Sequence, residues 1–144
     1  MAKIEKLAVS FNGLLPTFVK LVEAWQPPTL KTETEYRNHL VDYIRAAIPG
    51  DARVEKEFRH RGTTMDIYVS WKGILQNDDL SFELKRDLVK KTDFDRLVGQ
   101  IEGLDPMKNK VVVVLVGKTD KALLGRLRER YAKFGGVSMA IIVK

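Results

Sequence analysis

The sequence predicts an α/β sandwich with a central mixed β-sheet, and two observations lead to this fold class. Apolar residues recur at helical spacing in some segments and alternate with polar ones in others, in the order helix, three strands, helix, strand, helix, strand. Residues 111–116 form an unbroken apolar run, which is typical of a central strand covered on both faces. A chain of 144 residues is long enough to bury the core of one such domain.

The first segment is expected to be helical and to precede the compact domain. Over residues 4–25, apolar residues return every three or four positions, and Asn12-Gly13 and Pro16 are expected to break this helix in two. Gln-Pro-Pro at 26–28 predicts a stiff connector, because proline cannot extend a helix. The expected division is an N-terminal helical extension at 1–28 and a compact domain at 29–144.

The first helix of the compact domain has a recognisable start. Thr32 followed by Glu35 is a capping-box pattern, in which the hydroxyl accepts a backbone N–H of the first turn. Buried positions are then expected at helical spacing until Pro49-Gly50 ends the helix. These positions are Tyr36, Leu40, Ile44 and Ala47.

The remaining elements follow from the same two periodicities. They are strands at 53–58, 64–71 and 80–85, a helix at 93–104, a strand at 111–116, a helix at about 119–134 and a strand at 137–143. Thr119 is the expected cap of the last helix. The pair Gly135-Gly136 is expected to separate that helix from the final strand.

The composition excludes several kinds of site and suits a polyanionic partner. The chain has no Cys, so disulfides, thiolate zinc sites and cysteine catalysis are excluded. Lys and Arg number 25 against 19 Asp and Glu, and the formal charge of +6 favours nucleic acid without proving it. No segment has the length of a membrane span or the continuous apolar stretch of a signal peptide, so the expected location is cytoplasmic, without a membrane partner.

Three charged residues on two predicted strands are the candidates for chemistry. Residues two apart in a strand share a face, so Glu83 and Lys85 project together while Phe82 and Leu84 point into the core. On the preceding strand, Met65, Ile67 and Val69 are expected to form the apolar face, with Asp66 on the opposite one. If these strands pair, Asp66, Glu83 and Lys85 converge.

Such a group suits phosphodiester hydrolysis. Magnesium prefers oxygen ligands and is usually held by one or two carboxylates together with substrate phosphate and water. A lysine beside it would orient or deprotonate the attacking water, or stabilise the pentacovalent phosphate, and the sequence leaves these roles open. The alternative interpretation of Glu83-Leu84-Lys85, the only Glu-x-Lys triplet in the chain, is an ion pair on a solvated strand.

The sequence at this point resembles the PD-(D/E)XK nuclease superfamily, over residues from about 32 to 143. Thr-Met-Asp-Ile-Tyr-Val at 64–69 corresponds to its aspartate strand, and Phe-Glu-Leu-Lys at 82–85 to its E-x-K strand. The resemblance implies a restriction-endonuclease-like α/β/α sandwich with a central mixed sheet and a site that binds Mg²⁺, for which Mn²⁺ would substitute. It also implies a metal ligand at the backbone carbonyl of Leu84.

Two branches of the superfamily add one residue each. Archaeal Holliday-junction resolvases place a glutamate on the first core helix, three and seven residues before core positions, and Glu33 fits this spacing. An acidic residue there is also favoured by the helix dipole. RecB-type nuclease domains carry a glutamine on the helix after E-x-K, and Gln100 is similar, although Leu104 stands at their tyrosine position. An ordinary surface residue is the alternative for Gln100.

The predicted last helix is basic and gives a candidate DNA surface. At 100° per residue, Arg126, Arg130 and Lys133 would share one face, where they would contact backbone phosphates. The alternative is a solvated face that serves solubility.

The predicted function is a metal-dependent endonuclease that hydrolyses DNA, leaving 5′-phosphate and 3′-hydroxyl ends as the resemblance implies. The alternatives are a noncatalytic nucleic-acid-binding or assembly protein with the same fold, and an RNA-directed nuclease. The sequence leaves a homodimer open.

Overall fold

The computed structural model describes residues 13–48, 52–60, 63–72, 77–134 and 138–144. In these ranges the helices are α1 (Leu14–Glu23), α2 (Glu33–Ala47), α3 (Lys91–Gly103) and α4 (Lys121–Arg130), and a 3₁₀ turn covers Ala132–Phe134. The strands are β1 (Ala52–His60), β2 (Thr63–Lys72), β3 (Asn77–Leu88), β4 (Val111–Thr119) and β5 (Met139–Val143). The predicted α/β class with a mixed sheet is confirmed.

The sheet has the order β1-β2-β3-β4-β5 and changes character at β3. β1, β2 and β3 pair antiparallel, whereas β3, β4 and β5 pair parallel. Parallel neighbours need a crossover, and α3 and α4 provide the two that are required. Strand β3 therefore joins the antiparallel half of the sheet to the parallel half.

Helices cover both faces of the sheet. On one face α1 and α2 pack against Phe82, Leu84 and the even-numbered valines of β4, and on the other α3 and α4 pack against its odd-numbered residues. All six residues at 111–116 are at most 1% exposed. The predicted central strand covered on both faces is thus confirmed, and the layers are helices, sheet and helices.

Helix α2 begins as the capping pattern predicts. The Thr32 hydroxyl oxygen accepts the Glu35 N–H at 3.1 Å, and its own hydrogen is directed to a Glu35 carboxylate oxygen at 3.2 Å. Tyr36, Leu40 and Ile44 are buried against the sheet. This start makes Glu33 the first residue of the helix.

Helix α1 belongs to the same core as the sheet. It begins at Leu14, whose N–H donates to Asp78 Oδ2 at 2.9 Å, and the Phe18 ring meets Phe82 edge to face at 6.0 Å. Pro16 was expected to break a helix, but it lies in the first turn, where a missing N–H costs no hydrogen bond. The helical stretch predicted before residue 13 lies outside the described residues.

The basic helix is shorter than predicted. Thr119 is the last residue of β4, and the cap of α4 is Asp120, whose carboxylate accepts the Leu123 N–H at 3.0 Å. The helix ends at Arg130, so Lys133 lies in the separate 3₁₀ turn and not on a face of α4. The glycine pair at 135–136 lies outside the described residues. No helix in the described ranges is long and apolar enough to cross a membrane.

Gly117 is required by the bulge where β3 ends beside β4, and this gives a first prediction. It has φ +74°, and a Cβ there would collide with Asp87 Oδ1, which accepts the Lys118 N–H. We expect Gly117→Ala to destabilise the protein by at least about 2 kcal/mol, because left-handed backbone alone costs an L-residue about 1–2 kcal/mol. Gly125→Ala in helix α4, where a Cβ meets nothing, should instead stabilise by about 0.5–1 kcal/mol. Equal effects in urea unfolding would contradict this.

Candidate active site

Asp66 lies where strands β2 and β3 stop pairing. Their ladder runs from Lys72↔Asn77 to Ile67↔Phe82 and ends there, one residue short of Asp66. Asp66 Oδ2 accepts the Leu84 N–H at 2.8 Å, so a carboxylate takes the place of the next strand-to-strand contact. Asp66 therefore points toward β3, beside the site that the sequence predicted.

The faces of β2 also exchange around Asp66. Ile67 and Val69 pack with helices α1 and α2, as predicted, but Met65 packs with α3 and α4 and accepts the Ser81 hydroxyl hydrogen at 3.1 Å. The prediction that Met65 shares a face with Ile67 was wrong. Strict alternation is interrupted where β2 leaves β3 and where Glu57 of β1, between the pairs Lys56↔Ile67 and Phe58↔Met65, has φ +52°.

Glu83 is a buried carboxyl with an oxygen that binds nothing. Its residue is 3% exposed, and Oε2 has no hydrogen-bond partner. Burial, then the negative charge of Asp66 and a hydrogen bond with it, and last the charge of Glu33, raise the pKa of Glu83 to about 9. Burial disfavours the charged form of such an acid, so it is favoured when protonated or when a bound cation offsets its charge.

Lys85 lies between two acidic side chains from two helices. Its Nζ is 3.8 Å from Glu33 Oε2 and 3.6 Å from Asp93 Oδ1. The lysine side chain is 15% exposed, so most of it is buried. The two carboxylates thus fix the ammonium near the end of β3.

Glu33 and Asp93 come from helix starts that meet at the end of β3. Glu33 is the first residue of α2, and its Oε2 also accepts the Arg86 N–H at 3.0 Å. Asp93 lies in the first turn of α3. Acidic residues are favoured at both positions by the helix dipoles, and here the same charges also hold Lys85.

The site residues predicted on β2, β3 and α2 therefore lie together, whereas Gln100 does not. Among the described residues, no hydrogen bond or ion pair joins Gln100 to Asp66, Glu83 or Lys85, and Gln100 is exposed. It lies seven residues after Asp93, about 10 Å further along α3. Leu84 lies between Glu83 and Lys85 in sequence, and its side chain is buried in the core.

Asp93 is the residue that sequence reasoning missed. The sequence pattern predicts only that a helix starts at this residue. An acid in the first turn of the helix after an E-x-K strand is nevertheless close enough in the chain to contact the lysine of that strand. That local spacing was the available signal. Whether Asp93 contacts Lys85 depends on how α3 packs against β3, and the periodicity of the sequence does not predict that packing.

The donors of this site suit an oxygen-binding cation, with one restriction. Within the described part of the chain, no three acidic or histidine side chains are grouped as a ready metal site. Magnesium needs only one or two protein carboxylates, and Asp66 with Glu83, whose Oε2 has no hydrogen-bond partner, supplies two. Glu33 Oε2 accepts the Arg86 N–H, so a contribution from Glu33 would come from its second carboxylate oxygen.

The three basic residues predicted to bind DNA each contact another side chain of the protein. The Arg126 guanidinium lies over the Phe94 ring at 4.9 Å, and Arg130 pairs with Glu102 at 3.1 Å. Lys133 lies over the Phe134 ring at 5.1 Å. These contacts do not prevent phosphate binding, but each would have to be shared with it.

No protein-family model, curated protein or solved structure gives a significant match to this chain. The geometry of the site is therefore the main basis for a functional proposal.

Proposed function

We propose that this protein is a magnesium-dependent endonuclease that hydrolyses DNA phosphodiester bonds. The observation that carries the proposal is the buried carboxyl of Glu83, whose Oε2 has no hydrogen-bond partner and which lies beside Asp66, with Lys85 two residues along the same strand. Glu83 is 3% exposed and its pKa is raised to about 9. An ion pair on a solvated strand would instead leave the carboxyl exposed to water, so it does not account for this residue. The proposed fold is restriction-endonuclease-like, which is supported by the order of elements and the change from antiparallel to parallel pairing at β3.

Asp66 and Glu83 would hold the ion, with the Leu84 carbonyl and Glu33 as further ligands. When bound, Mg²⁺ would lower the pKa of a water and neutralise charge on the phosphate. In the hydrolysis, the water oxygen forms a bond to phosphorus as the bond from phosphorus to the 3′-oxygen breaks, and a proton passes to that oxygen. The products carry a 5′-phosphate and a 3′-hydroxyl.

Lys85 would act as a fixed positive charge. Its Nζ lies 3.8 Å from Glu33 Oε2 and 3.6 Å from Asp93 Oδ1, and an ammonium at this position would stabilise the extra negative charge of the pentacovalent phosphate. The pairs also restrict the side chain to one position, which lowers the entropy lost when substrate binds. We therefore favour charge stabilisation by Lys85 over proton abstraction.

Cleavage assays test the proposal directly. Linear, branched and single-stranded DNA, with matched RNA, would be incubated with Mg²⁺, with Mn²⁺ and with a chelator. We expect DNA cleavage with either ion and none with chelator. Binding without cleavage would instead support a noncatalytic nucleic-acid-binding protein, and cleavage of RNA alone would support an RNA-directed nuclease.

Two glutamates in the first turn of α2 provide a matched pair for a second prediction. Glu33 contacts Lys85 and the Arg86 N–H, whereas the Glu35 side chain, among the described residues, is paired with the Thr32 cap. Glu33→Gln should lower activity by about 10–100-fold and lower the apparent metal affinity, as expected for a residue that supports a metal site. Glu35→Gln should retain most activity, because glutamine also serves in a capping box. Steady-state rates over a magnesium titration measure both, and the reverse ranking would exclude Glu33.

A further inference from the structure

Basic residues collect where β3 and β4 end and helices α3 and α4 begin. Residues 86–91 and 117–121 contain five basic side chains and two acidic ones. Four of the five are exposed lysines, of which Lys91 pairs with Asp95 on helix α3; the other three we call the edge lysines. The edge lysines are Lys90, Lys118 and Lys121.

Backbone contacts bring the edge lysines to one place. Leu88 of β3 pairs with Thr119 of β4, and the Leu88 carbonyl accepts the Asp120 N–H at 2.8 Å. Lys118 and Lys121 lie within two residues of Thr119, and Lys90 lies two residues after Leu88. The lysines therefore flank a single joint between two parallel strands.

The acids at this joint do not neutralise the edge lysines. Asp87 accepts the Lys118 backbone N–H and pairs with Arg86, and the Asp120 carboxylate caps helix α4. In the described ranges, no carboxylate lies within ion-pair distance of any edge lysine side chain. By contrast, Arg130 on α4 already pairs with Glu102.

The joint is also close to the candidate active site. Leu88 is three residues after Lys85, about 10 Å along the strand. Lys90 precedes helix α3, whose Asp93 contacts Lys85. One strand of duplex DNA carries a phosphate about every 3.4 Å of helix axis, so 10 Å corresponds to a few phosphates.

We infer that the edge lysines form the phosphate-contacting track of the nuclease, along which the backbone of a DNA strand leads to Lys85 and Glu83. This rests on the proposed function for the identity of the ligand. The main DNA contact would then lie at the ends of β3 and β4, in place of the surface of Arg126, Arg130 and Lys133 that the sequence predicted. The charge there is exposed, unpaired and continuous with the site.

The test compares two charge-matched triple variants of the full chain. Lys90, Lys118 and Lys121→Gln removes the edge lysines, and Arg126, Arg130 and Lys133→Gln removes as much charge from the rival surface. Binding to a labelled duplex is measured by fluorescence anisotropy with Ca²⁺ in place of Mg²⁺, between roughly 50 and 200 mM salt, with gels to verify intact DNA. Thermal unfolding verifies that both variants fold.

We expect the edge variant to lower the slope of log affinity against log salt by between two and three units, because each phosphate contact contributes about 0.9. The rival variant should change it by less than one unit. An unchanged slope in the edge variant, an equal or larger loss in the rival variant, or a wild-type protein that does not bind DNA would overturn the inference. Binding that follows the expected pattern without cleavage under Mg²⁺ would sustain the track and reject the nuclease.

Discussion

Glu83→Gln, Asp66→Asn and Lys85→Ala are each expected to lower DNA cleavage by about a thousandfold or more while leaving the protein folded. The first two remove a carboxylate that would hold the metal ion, which is worth several kcal/mol of transition-state stabilisation, and each 1.36 kcal/mol is tenfold in rate. Lys85→Ala removes the ammonium that Glu33 and Asp93 hold, two residues after Glu83. Single-turnover rates at saturating Mg²⁺ and DNA measure the loss.

Asp95→Asn is a matched control for these variants. Asp95 lies on α3 like Asp93, but it is exposed and pairs with Lys91 on the surface. It should retain full activity, because a surface pair of this kind has little effect on stability or on the site. Full activity in a Glu83, Asp66 or Lys85 variant would remove that residue from the mechanism.

Without metal, the protein should lose stability as pH rises from about 4.5 to about 9. Burial and the neighbouring charge of Asp66 raise the pKa of Glu83 from 4.5 to about 9 in the folded state. Between these values the folded state keeps a proton that the unfolded chain has released, so the free energy of unfolding falls with pH. One proton contributes at most about 1.4 kcal/mol per pH unit.

Chemical unfolding at several pH values in chelator tests this expectation. Glu83→Gln should remove the fall and stabilise the metal-free protein above neutral pH, because glutamine carries no charge to bury. Adding Mg²⁺ at high pH should stabilise the wild type and not the variant, since the ion favours the carboxylate. Parallel stability curves for the two proteins would show that Glu83 is not held protonated by the fold.

The sequence predicted the architecture because its main elements repeat a simple burial pattern. The unbroken apolar run at 111–116 favoured a strand covered on two faces, and the Thr32 cap with the buried positions after it indicated the start of α2. The same alternation put Glu83 and Lys85 on one face. Where periodicity is regular, the position of a side chain relative to the sheet follows from counting residues.

The details that were missed depend on contacts between elements. Alternation predicted one face for Met65 and Ile67, but the end of the β2–β3 ladder at Asp66 separates them. At the start of α4, Thr119 and Asp120 are both suitable caps, and the choice depends on how far β4 continues beside β3. Asp93 reaches Lys85 only because α3 folds back over the strand.

Helix α1, at the beginning of the described chain, packs against the strand that carries Glu83 and Lys85. Phe18 packs on Phe82, and Asp78 near the start of β3 accepts the first N–H of α1, so this helix contacts β3 over the residues just before Glu83 and Lys85. A chain shortened to residue 29 would expose the apolar side of that strand to water. The smallest unit able to keep these charged groups aligned therefore includes the amphipathic helix that precedes the domain in sequence.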